Sequence, residues 1–120
     1  MKNLNIIFTL LITFLLTASL NAQEENTTKT VILQTESFEV LGSCGMCEAR
    51  IEKAAKVEGV TEAEWKQEDN TLTVVYNSEI TSKETIQKSI AAAGHDTELF
   101  KADAVVYDAL PRCYQYKRKE

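Results

Sequence analysis

The chain has 120 residues, 13 basic and 18 acidic, for a net charge of −5, and it carries three cysteines and one histidine. That length supports one small domain with a single core. An acidic chain without a Lys/Arg stripe is a poor fit to nucleic acid or anionic lipid, which leaves cations as the favoured partners.

The opening residues read as an address. Lys2 supplies a positive start, Ile6 to Leu16 is apolar except for Thr9 and Thr13, and Ala18-Ser19-Leu20-Asn21-Ala22 supplies small residues before a polar stretch. This is the pattern of a secretory signal peptide over residues 1–22, cut near Ala22–Gln23. The apolar run is short for a membrane span, so the expectation is export across the inner membrane to the periplasm, with no stable membrane insertion after cleavage. Cleavage removes Lys2 and leaves 98 residues with a net charge of −6. Three cysteines in an exported chain leave at least one thiol free, metal-bound or shared with another molecule.

Residues 23–33 form a polar leader, residues 34–100 a domain, and residues 101–120 a tail. From Val31 to Leu41 the pattern is β-like, with Phe38 and Val40 on one face. Gly42-Ser43 breaks that strand and Cys44-Gly45-Met46-Cys47 follows. Glu48 to Val57 is amphipathic: Cys47, Ile51, Ala54 and Ala55 share a side, and Gly59 is placed to cap the end. Val60 to Gln67 and Thr71 to Tyr76 alternate around the turn residues Asp69-Asn70, which makes a hairpin. Thr81-Ser82-Lys83-Glu84 matches a capping box, Ile86, Ile90 and Ala93 follow at helical spacing, and Gly94 ends the helix. Thr97 to Phe100 reads as a short fourth strand.

The order β-α-β-β-α-β predicts an α+β, ferredoxin-like sandwich: a four-stranded antiparallel sheet with two helices on one face. Trp65, Tyr76, Phe38 and Phe100 are core candidates. In the tail, Asp103 to Leu110 predicts a short helix capped by Asp103 and stopped by Pro111. The terminal Lys117-Arg118-Lys119 reads as a solvated end.

Chemistry concentrates at Cys44 and Cys47. Two sulfurs at this spacing, across a strand-to-helix turn, can face one atom, and the helix N-terminus favours the thiolate. Soft thiolates select Cu(I), Ag(I) and Hg(II), and less sharply Zn(II); a closed structural zinc site needs four ligands, so two cysteines alone do not make one. The rivals are a plain disulfide and a thiol-disulfide oxidoreductase. No tryptophan precedes Cys44, and the proline that faces such motifs has no obvious counterpart, the sole proline, Pro111, being in the tail, which disfavours the oxidoreductase. Met46 is expected to pack on the domain or over the loop.

Together, Gly42-Ser43-Cys44-Gly45-Met46-Cys47 after a strand, Val57-Glu58-Gly59-Val60 after the first helix, and Ala93-Gly94-His95-Asp96 at the second helix exit resemble the heavy-metal-associated domain. That family includes copper chaperones, modules of copper-transporting ATPases and a periplasmic mercury-binding protein. The resemblance covers roughly residues 36–100. Two positions depart from it: the family's methionine two residues before the first cysteine is Gly42 here, and its tyrosine or lysine at the helix exit is His95. The resemblance implies that His95 lies at the metal end, where an imidazole is a ligand candidate; the alternative is a loop histidine bonded to the backbone. Cys113 is a third-ligand or resolving-thiol candidate, because a short helix plus an extended Pro111–Cys113 spans enough distance to return along one strand; otherwise it is a half-buried or intermolecular thiol.

The combined reading is an exported, non-enzymatic carrier or scavenger of one soft metal ion. Cu(I) stands first, with Hg(II), Ag(I) or Zn(II) behind it. The ion is held by Cys44 and Cys47, with Cys113 and His95 as further candidates, and passes to a transporter or another metal-binding domain.

Overall fold

The computed structural model describes residues 31–120. The expected signal peptide and most of the leader lie outside the described residues. The elements are β1 (Leu33–Glu39), α1 (Gly45–Ala55), β2 (Val60–Lys66), β3 (Thr71–Asn77), α2 (Lys83–Ala92), α3 (Ala104–Asp108) and a single 3-10 turn at Arg112–Tyr114. The strands form an antiparallel sheet in the order β1-β3-β2.

Side-chain alternation builds the core. Leu72, Val74 and Tyr76 of β3 are buried while Thr71, Thr73 and Val75 between them stay half-exposed. Phe38 pairs with Leu72 on one side and Trp65 pairs with it on the other, so an aromatic, a leucine and an indole make one row across the sheet. Ile51 and Ala55 of α1 and Ile86 and Ile90 of α2 close over this face in the same cluster. The expected core residues Phe38, Trp65 and Tyr76 are all in it, whereas Phe100 is only half-buried.

Local signals largely hold. Asn70 takes a left-handed φ of 53° in the β2–β3 turn, a conformation asparagine tolerates, and the Asp69 carboxylate accepts from the Thr71 amide. The α2 cap is Ser82, one residue later than the capping-box pattern: its hydroxyl accepts from the Thr85 amide. The α3 cap is Asp103, as the sequence predicts, with its carboxylate accepting from Val105 N.

The fourth strand is a correction. Only one bridge forms, between Val40 and Thr97, closed by Leu41 N donating to Asp96 O and Glu98 N to Glu39 O. Beyond it the chain turns on itself. Thr97 N donates to Phe100 O, and Phe100 N to the Thr97 hydroxyl, so the groups that would extend a ladder along β1 are consumed within four residues. The α+β arrangement is consistent with the ferredoxin-like sandwich, with three strands and a bridge instead of four strands.

Candidate metal centre

The cysteine turn belongs to α1 more fully than the sequence implied. The helix starts at Gly45, not Glu48, and Cys44 is its N-cap, with extended backbone (φ −158°, ψ 173°) and no side-chain cap bond. Cys47 therefore lies in the first turn, its amide donating to Cys44 O at 2.9 Å. The Met46 amide at the Cys44 sulfur is the largest influence pulling that thiol below its ordinary range; partial burial opposes it, and the Cys47 amide, the Ser43 hydroxyl and the Cys47 thiol assist.

Cys47 is fully buried and Cys44 partly so, and both are free thiols. Ser43 lies against the Cys47 sulfur through its amide at 3.5 Å and its hydroxyl at 3.6 Å. Met46 is exposed, so it is not packed into the domain, the first of the two places expected for it.

Gly42 explains one departure from the family pattern. A Cβ at this position would stand 2.8 Å from two ring carbons of Trp65 and 3.1 Å from the Cys47 Cβ. The indole fills the space that a methionine side chain here would need. Trp65 is fixed there by its ring N–H donating to Val40 O at 2.9 Å.

The tail returns to this end of the molecule, but with a different atom from the one expected. The carbonyl oxygen of Cys113 accepts from the Cys44 thiol at 3.1 Å and from the Ser43 hydroxyl at 2.7 Å. The Tyr114 carbonyl accepts from the Cys47 thiol at 3.8 Å. A carbonyl can only accept, so these contacts belong to the protonated thiols. The Cys113 side chain is exposed, and among the described residues no three His, Cys, Asp or Glu side chains are grouped closely enough to hold one ion. Cys113 is thus brought to the pair by its backbone, not as a third thiolate.

His95 is not brought to the pair either. It is fully buried, its Nδ1 donates to Leu41 O at 2.9 Å, and its ring stacks on Tyr116 at 5.5 Å. Its Nε2 has no hydrogen-bond partner among the described residues. Burial is the main cause that holds its pKa below the ordinary histidine value; the Leu41 carbonyl and Asp96 pull the other way, and Arg50 adds to the lowering.

Beside His95 is a polar knot that sequence reasoning missed. Arg118 grips the Asp96 carboxylate with two hydrogen bonds (2.9 and 2.8 Å) and also donates to Ala102 O. The Ala102 amide donates to the same carboxylate at 2.8 Å. These donors keep the Asp96 pKa low, although burial, the largest single influence, pushes it up. The Tyr116 hydroxyl accepts from Asp96 N at 2.7 Å and donates to Gly94 O at 2.8 Å. The basic terminus is therefore partly an anchor, through the half-buried Arg118, and not simply a solvated end. The signal available was a basic Lys117-Arg118-Lys119 run and tyrosines spaced two apart at Tyr114 and Tyr116, which does not name a partner.

With this geometry in hand, the sequence matches the heavy-metal-associated domain over residues 43–96, and the match ends where the tail's partner Asp96 stands. Oxidized MerP from Ralstonia metallidurans CH34 is 30% identical, over 56% of this chain and 96% of that one, with a TM-score of 0.53. The CopZ metallochaperone is 29% identical, over 53% and 98%, with a TM-score of 0.51. The Cu(I)-loaded N-terminal domain of a potential copper-translocating P-type ATPase from Bacillus subtilis is 29% identical, over 55% and 85%, with a TM-score of 0.52. A comparison with curated protein sequences finds no match.

Proposed function

The chain belongs to the heavy-metal-associated domain family, and from that premise we propose that it is an exported carrier or scavenger of one soft metal ion, bound by Cys44 and Cys47. The observation that carries this reading is the pair itself: two free thiols at the first turn of α1, within the family-matched segment, one of them with a lowered pKa. Loading releases the two thiol protons and leaves two soft donors, which suits the low coordination numbers of Cu(I) and Hg(II).

Cu(I) is the proposed first cargo. The metallochaperone and the Cu(I)-loaded ATPase domain among the similar structures support it, and they support a transporter or a second metal-binding domain as the partner. Transfer then proceeds by ligand exchange: an incoming thiolate binds the ion before a departing one leaves, so no free ion is released. Export is part of the same proposal and rests on the sequence of residues 1–22. The oxidoreductase alternative has less support: the groups over the thiols are backbone carbonyls from the tail, although the turn that supplies them opens at Pro111, nearer the pair than its place in the sequence suggested.

Anaerobic Cu(I) titration of the reduced protein tests the reading. Cys44→Ser and Cys47→Ser should each lose at least about a hundredfold in affinity, beyond the 10–100-fold typical of an outer-shell change. Either variant binding Cu(I) as well as the parent would sink it. Insulin reduction should stay at background, and thioredoxin-like turnover would favour the alternative.

A further inference from the structure

Cys47 is fully buried, so a wall must move before an ion or another molecule's thiol can reach its sulfur. Three groups form that wall. Trp65 sits behind it, itself buried in β2 and tied to Val40 O. Ser43 belongs to the same short loop as the cysteines. The third is the Arg112–Tyr114 turn, whose Cys113 carbonyl accepts from Cys44 and Ser43 and whose Tyr114 carbonyl accepts from Cys47.

Of these, the turn is the one that can move. Arg112 and Cys113 are exposed, and the turn follows a five-residue helix whose residues are not buried. Moving Trp65 would break a packed row of the core, whereas lifting the turn breaks the carbonyl contacts and the packing of one partly buried side chain, Tyr114, which lies at the edge of the core beneath Arg50. What holds it down lies just beyond it. Tyr116 is anchored through its hydroxyl to Asp96 N and Gly94 O, and Arg118 is clamped bidentately on Asp96. Both anchors grip the residues that end the family-matched segment.

We propose that the C-terminal segment is a strap over the dithiol, latched by Arg118 and Tyr116, and that the strap must lift for cargo to enter or leave. The part about cargo rests on the carrier reading; the part about access to Cys47 does not. The latch sets the rate of exchange and leaves the ligands untouched. A partner domain that trades metal with this protein must displace the strap with its own surface, so the tail acts as an intramolecular competitor for that face.

The test uses the full chain, reduced and metal-free, with iodoacetamide as the probe and mass mapping of each cysteine. Cys113 should react fast and Cys47 slowly. In Arg118→Gln, Cys47 should react roughly tenfold faster, the order expected for loss of a charged hydrogen-bond pair. Arg118→Lys, which keeps the charge but not the fork, should fall between. Amide exchange of Leu72 and Val74 in β3 is measured alongside, because a rise there in step with Cys47 would mean global unfolding and would overturn the strap. Tyr116→Phe gives a second, milder release if Arg118→Gln does not fold. An unchanged Cys47 rate in the folded variants overturns the proposal as well. In a parallel arm, bathocuproine disulfonate should strip Cu(I) from Arg118→Gln faster than from the parent at nearly equal affinity, and an equal stripping rate would overturn the gating of cargo. A parent protein that binds no Cu(I) would sink the carrier reading, while the alkylation result still decides the strap.

Discussion

The sandwich and the tail hold together by different physics. In the sandwich, Ile51, Leu72, Val74, Ile86 and Ile90 are buried from three elements, and their burial depends on apolar area more than on any single partner. The tail contributes Ala102, Leu110 and Tyr116 to the interior, and its position is set by named pairs: Arg118 with Asp96, and Tyr116 with Asp96 and Gly94. Apolar burial tolerates exchange among similar residues, whereas a polar knot does not, because each unpaired buried group costs its full desolvation. The consequence is a stable platform with a specific, separable cover. Leu110 joins the two, packed so closely on Gly94 that a Cβ there would lie 3.0 Å from it, at a φ of +105° that also disfavours other residues.

The contrast can be broken at its strong end first. Ile90→Ala should cost about 2–5 kcal/mol by urea unfolding, since it opens a cavity in the shared core. A loss below about 1 kcal/mol would mean the core is loosely packed there. Next, Gly42→Met, which restores the family residue, should destabilise by about 1–3 kcal/mol because its side chain meets the Trp65 ring. Pairing it with Trp65→Leu should recover part of that loss, and strict additivity of the two changes would refute the steric account.

Tyr116→Phe sharpens the comparison from the tail side. It strands the Asp96 amide and weakens the hold on Gly94 O, for about 1–3 kcal/mol. Its signature should be local: amide exchange should rise over residues 112–118 before it rises in β3. Simultaneous loss in both regions would show that they unfold as one.

Acid tests the same junction. Because the folded-state pKa of His95 is depressed, the unfolded chain takes up the proton first as pH falls through its ordinary value near 6.5. Stability is therefore fully present above that value and declines from there down through the folded pKa. His95→Gln should flatten the difference in urea midpoint between pH 7.5 and 5.5, and an unchanged slope would assign the acid sensitivity elsewhere. The smallest effect belongs to Lys119→Ala. Its ion pair with Glu39 at 2.7 Å is largely solvent-exposed, and its removal should change stability by less than about 1 kcal/mol.

The periodicities that made β1, β2, β3, α1 and α2 legible come from residues whose burial is decided by their own apolarity and spacing. Phe38, Trp65, Leu72 and Ile90 therefore declared themselves along the chain. The cysteine pair was legible for a similar reason, since both sulfurs lie within one helical turn and local geometry alone brings them together. Thr97–Phe100 failed as a strand because a ladder needs free partners, and its amides and hydroxyl close a turn instead. Whether Cys113 would offer its sulfur or its carbonyl, and whether His95 would face metal or Leu41, depended on contacts between residues 54 to 70 positions apart. The sequence by itself determined the α+β platform, the dithiol and the family, because those follow from local pattern. Only the tertiary structure decided that the tail is a latched cover, because the choice rests on long-range pairing of single polar groups, which leaves no periodic trace in the chain.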